Sequence, residues 1–375
     1  MPKIILRPNP TPPPFVPPTP PTPTGSVLTL IARQANSTVQ LTKAQSIEGV
    51  SLEYSIDNGN TYNVYEFGST ITLNNIGDSV KFKGLNNSFS LGKFSNIKFV
   101  LSGEIASEGD VTSLLNEAGG DVALPENCFA GLFKNCTSLI TAPNLPSTTL
   151  NSYCYAEMFY GCTTLTQAPA LPATTLAINC YEAMFRQCTA LQQAPSLPAT
   201  TLAQNCYNYM FYYCTSLTQA PALPATSLAQ SCYTFMFASC TSLTQAPSLP
   251  AMELQSNCYQ SMFSQCTSLM QAPALPATTL AQRCYDNMFY SCSSLATAPV
   301  LPALTLVPYC YNQMFERCQN LTYIKALFLT TPTNGFTQNW VNLVGGNGTF
   351  VKNSEASWDV VGTNGVPSGW TIVTE

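Results

Sequence analysis

Histidine is absent from this 375-residue chain, and charged residues make up only 9% of it. The first absence removes the commonest general base and the commonest metal ligand. The second removes the footprint of nucleic-acid binding, which needs clustered Lys and Arg. Here 14 such residues are spread along the whole chain and the net charge is −5. Long apolar runs are missing as well, since no stretch approaches the roughly 18 residues of a membrane span. Near the N-terminus the only apolar run is Ile4-Ile5-Leu6, far short of the roughly 7–15 residues of a signal-peptide core. These absences point away from an enzyme, a nucleic-acid binder and a membrane span. They favour a chain made in a reducing compartment, with no cofactor and no metal.

What is abundant is proline, cysteine and repetition. Residues 8–23 hold ten prolines in sixteen positions, a composition that favours an extended rod of about 50 Å. Ahead of it, Lys3-Ile4-Ile5-Leu6-Arg7 is the one apolar cluster, which suggests a docking peptide at Ile4, Ile5, Leu6 and Arg7 on the end of a spacer. From Ser26 to Glu104 the pattern becomes alternating: VLTLIA, STVQLT, VSLEYSI, STITLN, SVKFKG and IKFVLSG read as short strands. Asp57-Asn58-Gly59-Asn60 between two of them is a hairpin signal, and the segment reads as a small β-sandwich.

A strict repeat follows. Cysteines fall at 128, 154, 180, 206, 232, 258, 284 and 310, and again eight residues later in each unit, so all 16 obey a period of 26. Such a period implies units that bury their apolar faces only by stacking on neighbours. Within one unit Leu202, Cys206, Met210 and Cys214 recur every fourth residue, which reads as the stripe of a helix capped by Thr200 or Thr201. Leu217–Ala220 read as extended, and Pro221 and Pro224 forbid a further helix. The expected fold is therefore an α/β solenoid, a leucine-rich-repeat arc of eight 26-residue strand-helix units. The expected domains are 1–24 (peptide and rod), 25–105 (sandwich), 106–330 (repeats with a lead-in) and 331–375 (C-terminal cap).

On such helices neither cysteines within a unit nor those of adjacent units come close enough for a disulfide, and no CxxC pair suggests zinc. The cysteines and the Met-Phe column read as core. The tyrosines after each first cysteine, Tyr155 through Tyr311, read as core-edge residues with wet hydroxyls. A glutamine column, Gln167 through Gln271, either hydrogen-bonds along the stack or faces a ligand. Positions that change from unit to unit are free of the packing rule. Tyr160, Arg186, Tyr209, Tyr212, Tyr213, Phe235, Tyr290 and Arg317 stand there, with Glu316, and are the candidate ligand-facing residues.

The words CTSLTQAPALPATTLAxxCYxxMF resemble the BspA-like leucine-rich-repeat surface proteins of gut anaerobes and their phages. The similarity covers about 124–330 closely, and LEYSIDNGNTYN before it and GVPSGWTIV after it look similar too. The resemblance implies a leucine-rich-repeat fold and adhesion to host proteins, cells or matrix, with no catalytic residues to carry over. Bacterial members carry a secretion signal, and the proline-rich start suggests instead a virion component, a head or tail decoration fibre. The partners expected are capsid or tail proteins at the N-terminus, a host-surface or mucus glycan or protein at the repeats, and further copies of the chain. A bacterial cell-surface adhesin is the alternative. A glycoside hydrolase would need paired carboxylates, whereas Glu157, Glu182, Glu253, Asp286 and Glu316 are scattered. Ice or mineral binding by the Thr pairs at 148–149, 174–175 and 200–201 would need a flat array that these positions do not form.

Overall fold

A computed structural model of the protein describes residues 25–44, 46–90 and 96–375. The expected docking residues Ile4, Ile5, Leu6 and Arg7 and the proline-rich segment lie outside the described residues.

The alternating segments form strands β1 (Leu28–Ala32), β2 (Ser37–Lys43), β3 (Glu53–Ser55), β4 (Asn63–Val64), β5 (Thr70–Leu73), β6 (Ser79–Lys83), β7 (Ile97–Ser102) and β8 (Ile105–Glu108). Every second side chain of β1, and of β2 as far as Leu41, is buried, as period-2 alternation dictates for a sheet with one wet face. One sheet has the order β4-β3-β6-β1-β8 and a second the order β5-β2-β7. Phe82 of β6 meets Phe99 of β7 at 5.7 Å between ring centroids, so the two sheets share a core. A one-turn helix, α1 (Ser113–Asn116), leads into the repeats, and β9 (Leu139–Thr141) from the first unit pairs in parallel with β8. The first sheet thus runs on past residue 105 and into the repeat region.

The repeats do not contain helices, and the strand-helix solenoid and leucine-rich-repeat arc are not what forms. Only α1 and a second one-turn helix, α2 (Asn334–Thr337), occur among the described residues. The stretch read as a helix is a run of consecutive turns. Its amides alternate between two partners. Cys206, Asn208, Met210, Tyr212 and Cys214 each donate to the carbonyl three residues back, as in a β-turn, at 3.1–3.2 Å. Asn205, Tyr207, Tyr209, Phe211 and Tyr213 instead donate across to the next unit, to Gln230, Cys232, Thr234, Met236 and Ala238, at 2.9–3.1 Å.

That alternation requires a left-handed residue every fourth position. Asn205, Tyr209 and Tyr213 have φ of 55°, 56° and 63°, and the same places in the other units behave alike. A left-handed L-residue costs roughly 1–2 kcal/mol, so the ladder persists because each such residue hands its amide to a neighbouring unit. The apolar period of four residues belongs to this ribbon and not to a helix.

Stacking then builds the core as columns. Phe133, Phe159, Phe185, Phe211, Phe237, Phe263, Phe289 and Phe315 stack at 5.6–5.8 Å, continuing the sandwich through Phe99 and ending on Trp340. The tyrosine column Tyr155 to Tyr311 stacks at 5.8–6.0 Å. Contrary to the expectation of wet hydroxyls, these rings are fully buried, and the hydroxyl of Tyr181 has no hydrogen-bond partner.

Units therefore repeat at roughly strand spacing, about half the ~10 Å that helix packing would impose. Without helices, helix spacing no longer holds the cysteines of neighbouring units apart. All 16 cysteines are nevertheless free and buried. From the second unit on, the second thiol donates to a phenylalanine carbonyl of the unit before, as Cys214 does to Phe185 at 3.1 Å, while Cys136 donates to Phe99 of β7.

The remaining side of each unit is extended. Gln167, Gln193, Gln219, Gln245 and Gln271 are linked in turn by parallel backbone bridges, as are Thr175, Thr201, Ser227, Glu253 and Thr279, and both columns are exposed. Thr201 is thus a bridged, exposed residue and not a helix cap. The stack closes on a parallel sheet of β10 (Tyr323–Ala326), β11 (Thr349–Lys352) and β12 (Thr371–Thr374).

Candidate functional site

Residues 26 apart fall in one column of the turn ladder, so chemistry that varies between units is displayed side by side. One column runs Tyr160, Arg186, Tyr212; the next runs Glu157, Ala183, Tyr209, Phe235; a third carries Gln187 and Tyr213. The Arg186 guanidinium carbon lies 5.4 Å from the Tyr160 ring centroid, 5.2 Å from Tyr209 and 4.9 Å from Tyr212. Tyr209 stacks on Phe235 at 4.7 Å and meets Tyr212 edge-on at 5.6 Å. Tyr213 lies against Tyr212 at 6.4 Å and is 47% exposed.

The result is a half-buried aromatic surface across four successive units with one cation inserted among the rings. Cation–π contacts of this kind are worth roughly 0.5–2 kcal/mol each, the larger figure when desolvated. Burial pushes the Tyr209 hydroxyl above its ordinary value, with Arg186 pulling the other way.

Six of the eight candidate residues are therefore gathered in one place: Tyr160, Arg186, Tyr209, Tyr212, Tyr213 and Phe235. Tyr290 lies three units beyond Tyr212 in the same column, and Arg317 four units beyond Tyr213, so neither belongs to the cluster. Glu316 is buried, with Gln313 and Asn342 donating to its carboxylate at 2.6 and 2.9 Å.

Sequence reading missed Lys134. Its ammonium sits 4.8 Å above Tyr160 and 2.6 Å from the Glu157 carboxylate, extending the cluster toward the first unit. Adding 26 to its number leads to Tyr160, and that arithmetic was available.

A second cluster is polar. Asp286, 1% exposed, accepts from Arg283 at 3.0 Å and Gln260 at 3.1 Å on one oxygen. On the other it accepts from Asn287 at 2.6 Å and Asn312 at 2.8 Å. Four donors saturate this carboxylate and tie three units together, which leaves it no free lone pair for proton transfer.

Two concave places among the described residues offer little chemistry. One, between residues 47–50 and 85–90, has Glu48 as its sole acid; the other, between Leu223 and Pro250, is lined by alanine, proline, leucine and serine. No group of three metal-ligating side chains converges among the described residues, and no helix among them is long and apolar enough to cross a membrane. No protein-family model matches the chain, and no curated protein matches it either.

Proposed function

We propose that this is a non-enzymatic recognition protein that binds glycans through the aromatic surface around Arg186. The observation that carries the reading is the gathering of Tyr160, Arg186, Tyr209, Tyr212, Tyr213 and Phe235 on one face of four stacked units. Sugar rings present apolar C–H faces that stack on tyrosine rings, and phenol hydroxyls and a guanidinium can bond the sugar hydroxyls. Exposed aromatic rings are costly in water, and aromatic and Arg residues are enriched where binding energy concentrates. The acids support the non-enzymatic part: Asp286 is saturated, Glu316 is buried with a donor on each oxygen, and Glu157 is paired with Lys134.

Contacts on so open a surface are individually weak, so the protein would act in many copies. The resemblance to surface proteins of gut anaerobes and their phages supports a virion as the carrier, with host-surface mucus as the target. Stoichiometric recovery of its peptides from purified phage particles tests that location.

The site is tested on immobilised mucin. Tyr212→Ala and Tyr213→Ala should each weaken binding of the full chain about tenfold, equivalent to ~1.4 kcal/mol. Tyr290→Ala, outside the cluster, should bind as the unsubstituted chain does. Binding should vanish on deglycosylated mucin. Equal binding by all variants, or undiminished binding to the deglycosylated polypeptide, would refute the reading.

A further inference from the structure

The final strand of the stack is open. Among the described residues β12 pairs with β11 on one side only, and it ends the three-stranded sheet. All four of its residues, Thr371, Ile372, Val373 and Thr374, are β-branched and exposed, with Ile372 and Val373 each 44% accessible although they point to opposite faces. Natural sheets blunt such edges with charge, proline or a bulge, and β12 has none of these. Its open side offers unused backbone groups. Thr371 and Glu375 donate toward Gly348 and Lys352 on the β11 side, so the alternating amides of Ile372 and Thr374 face outward. Two other outer strands differ: β4 has two residues, and β5 turns Leu73 into the core.

We infer that the β12 edge is an acceptor for the Lys3–Arg7 segment of a neighbouring copy of this chain, which adds there as a further strand. Three features of the sequence select this occupant. Lys3-Ile4-Ile5-Leu6-Arg7 is five residues long, matching Thr371–Glu375, and Pro2 and Pro8 bracket it with residues that cannot continue a ladder. Its apolar centre falls opposite Ile372, Val373 and Thr374 in either strand direction. Its charges also fit in either direction: Glu375, 48% exposed beside Lys325, receives Lys3 if the strands are antiparallel and Arg7 if they are parallel. The proline-rich residues 8–23 then supply a reach of about 50 Å, and a semi-rigid spacer of that kind favours a neighbour over a return along its own stack.

Main-chain pairing would provide the affinity and the apolar centre the register, as in other strand-addition contacts. The contact is head to tail, so it builds open chains or closed rings of copies. It does not depend on glycan binding. It does replace a capsid or tail protein as the acceptor of this peptide.

Light scattering of the full chain at rising concentration tests the inference. The unsubstituted protein should at least double its mass from 40.5 kDa. Ile5→Asp, which spoils the donor, and Thr374→Pro, which removes an outward amide while sparing the β11 pairing, should each remain monomeric. An equimolar mixture of the two should form a one-to-one dimer, because each retains the half that the other lacks. Ile372→Lys repeats the acceptor test in case the proline lowers thermal stability. An unsubstituted chain that stays monomeric, an Ile5→Asp chain that associates undiminished, or a mixture that does not pair would overturn the inference.

Discussion

Raising the pH from 8 to 11 is expected to unfold the protein in one steep step, with all 16 thiols becoming reactive together. Burial pushes the Cys154, Cys206, Cys240, Cys258, Cys310 and Cys318 thiols up to about 12 from an ordinary 9.0, and the other cysteines shift the same way. The cause is desolvation of the thiolate, reinforced for many by a neighbouring cysteine in the same column. A raised folded value means that the folded state holds protons the unfolded chain has released. Stability is therefore complete below pH 9 and is lost as pH climbs from 9 toward 12.

At pH 10 each such thiol costs on the order of 1 kcal/mol, and the sum over so many is comparable with the ~5–15 kcal/mol that holds a folded protein together. Thiol reactivity and circular dichroism, followed together against pH, measure this. Thiols should be silent at pH 8 and appear with the loss of structure near pH 10. Cysteines titrating one by one with structure intact to pH 12 would contradict the buried columns.

Replacing Asp286 by alanine should destabilise the C-terminal units by about 3 kcal/mol, the loss expected when a buried, hydrogen-bonded charge is removed from its partners. Gln260, Arg283, Asn287 and Asn312 would all lose their acceptor, and these residues come from three successive units. The figure sits at the low end because Arg283 is 40% exposed and can turn to water. Asp286→Asn keeps the shape and part of the bonding and should cost about half as much. Urea denaturation followed by tyrosine fluorescence reads both, and since units stack in series, the loss should show first at the C-terminal end. Midpoints that do not move would mean the carboxylate is not the hub described.

Much of this was open to reading in the residues. The period of 26, the burial of cysteine, methionine and phenylalanine, and the variable aromatic positions all follow from counting columns. The error lay in the local period. Leu202, Cys206, Met210 and Cys214 recur at four residues, whereas a helix turns once in 3.6; over three such steps a helical stripe drifts by about 120° and leaves its own face. The strict four, unrelieved by any three, was the sign of turns. A second sign was the column of Asn and Ser that proves left-handed, Asn127, Asn179, Asn205, Ser231 and Asn257, where a helix former would be expected.

The misplaced helices led to two further mistakes. They put neighbouring units at helix spacing, which made the cysteine columns look distant. They also put the tyrosine after each first cysteine at a core edge, whereas in the ribbon Tyr207 and Phe211, four residues apart, both turn inward. The Asp286 network was hidden for a different reason. Its partners are separated by one unit on either side, and only the 26-residue stacking reveals that Gln260 and Asn312 meet on it.

The aromatic face and the core both hang on the turn ladder, since only a four-residue ribbon stacked at strand spacing places Tyr160, Arg186 and Tyr212 side by side. Far-ultraviolet circular dichroism of the full chain tests that ladder most directly. The account predicts a spectrum without the paired helical minima near 208 and 222 nm, because α1 and α2 together contribute eight helical residues among those described. A strong helical spectrum, of the size that eight three-turn helices would give, would contradict the ladder and return the aromatic residues to separate faces.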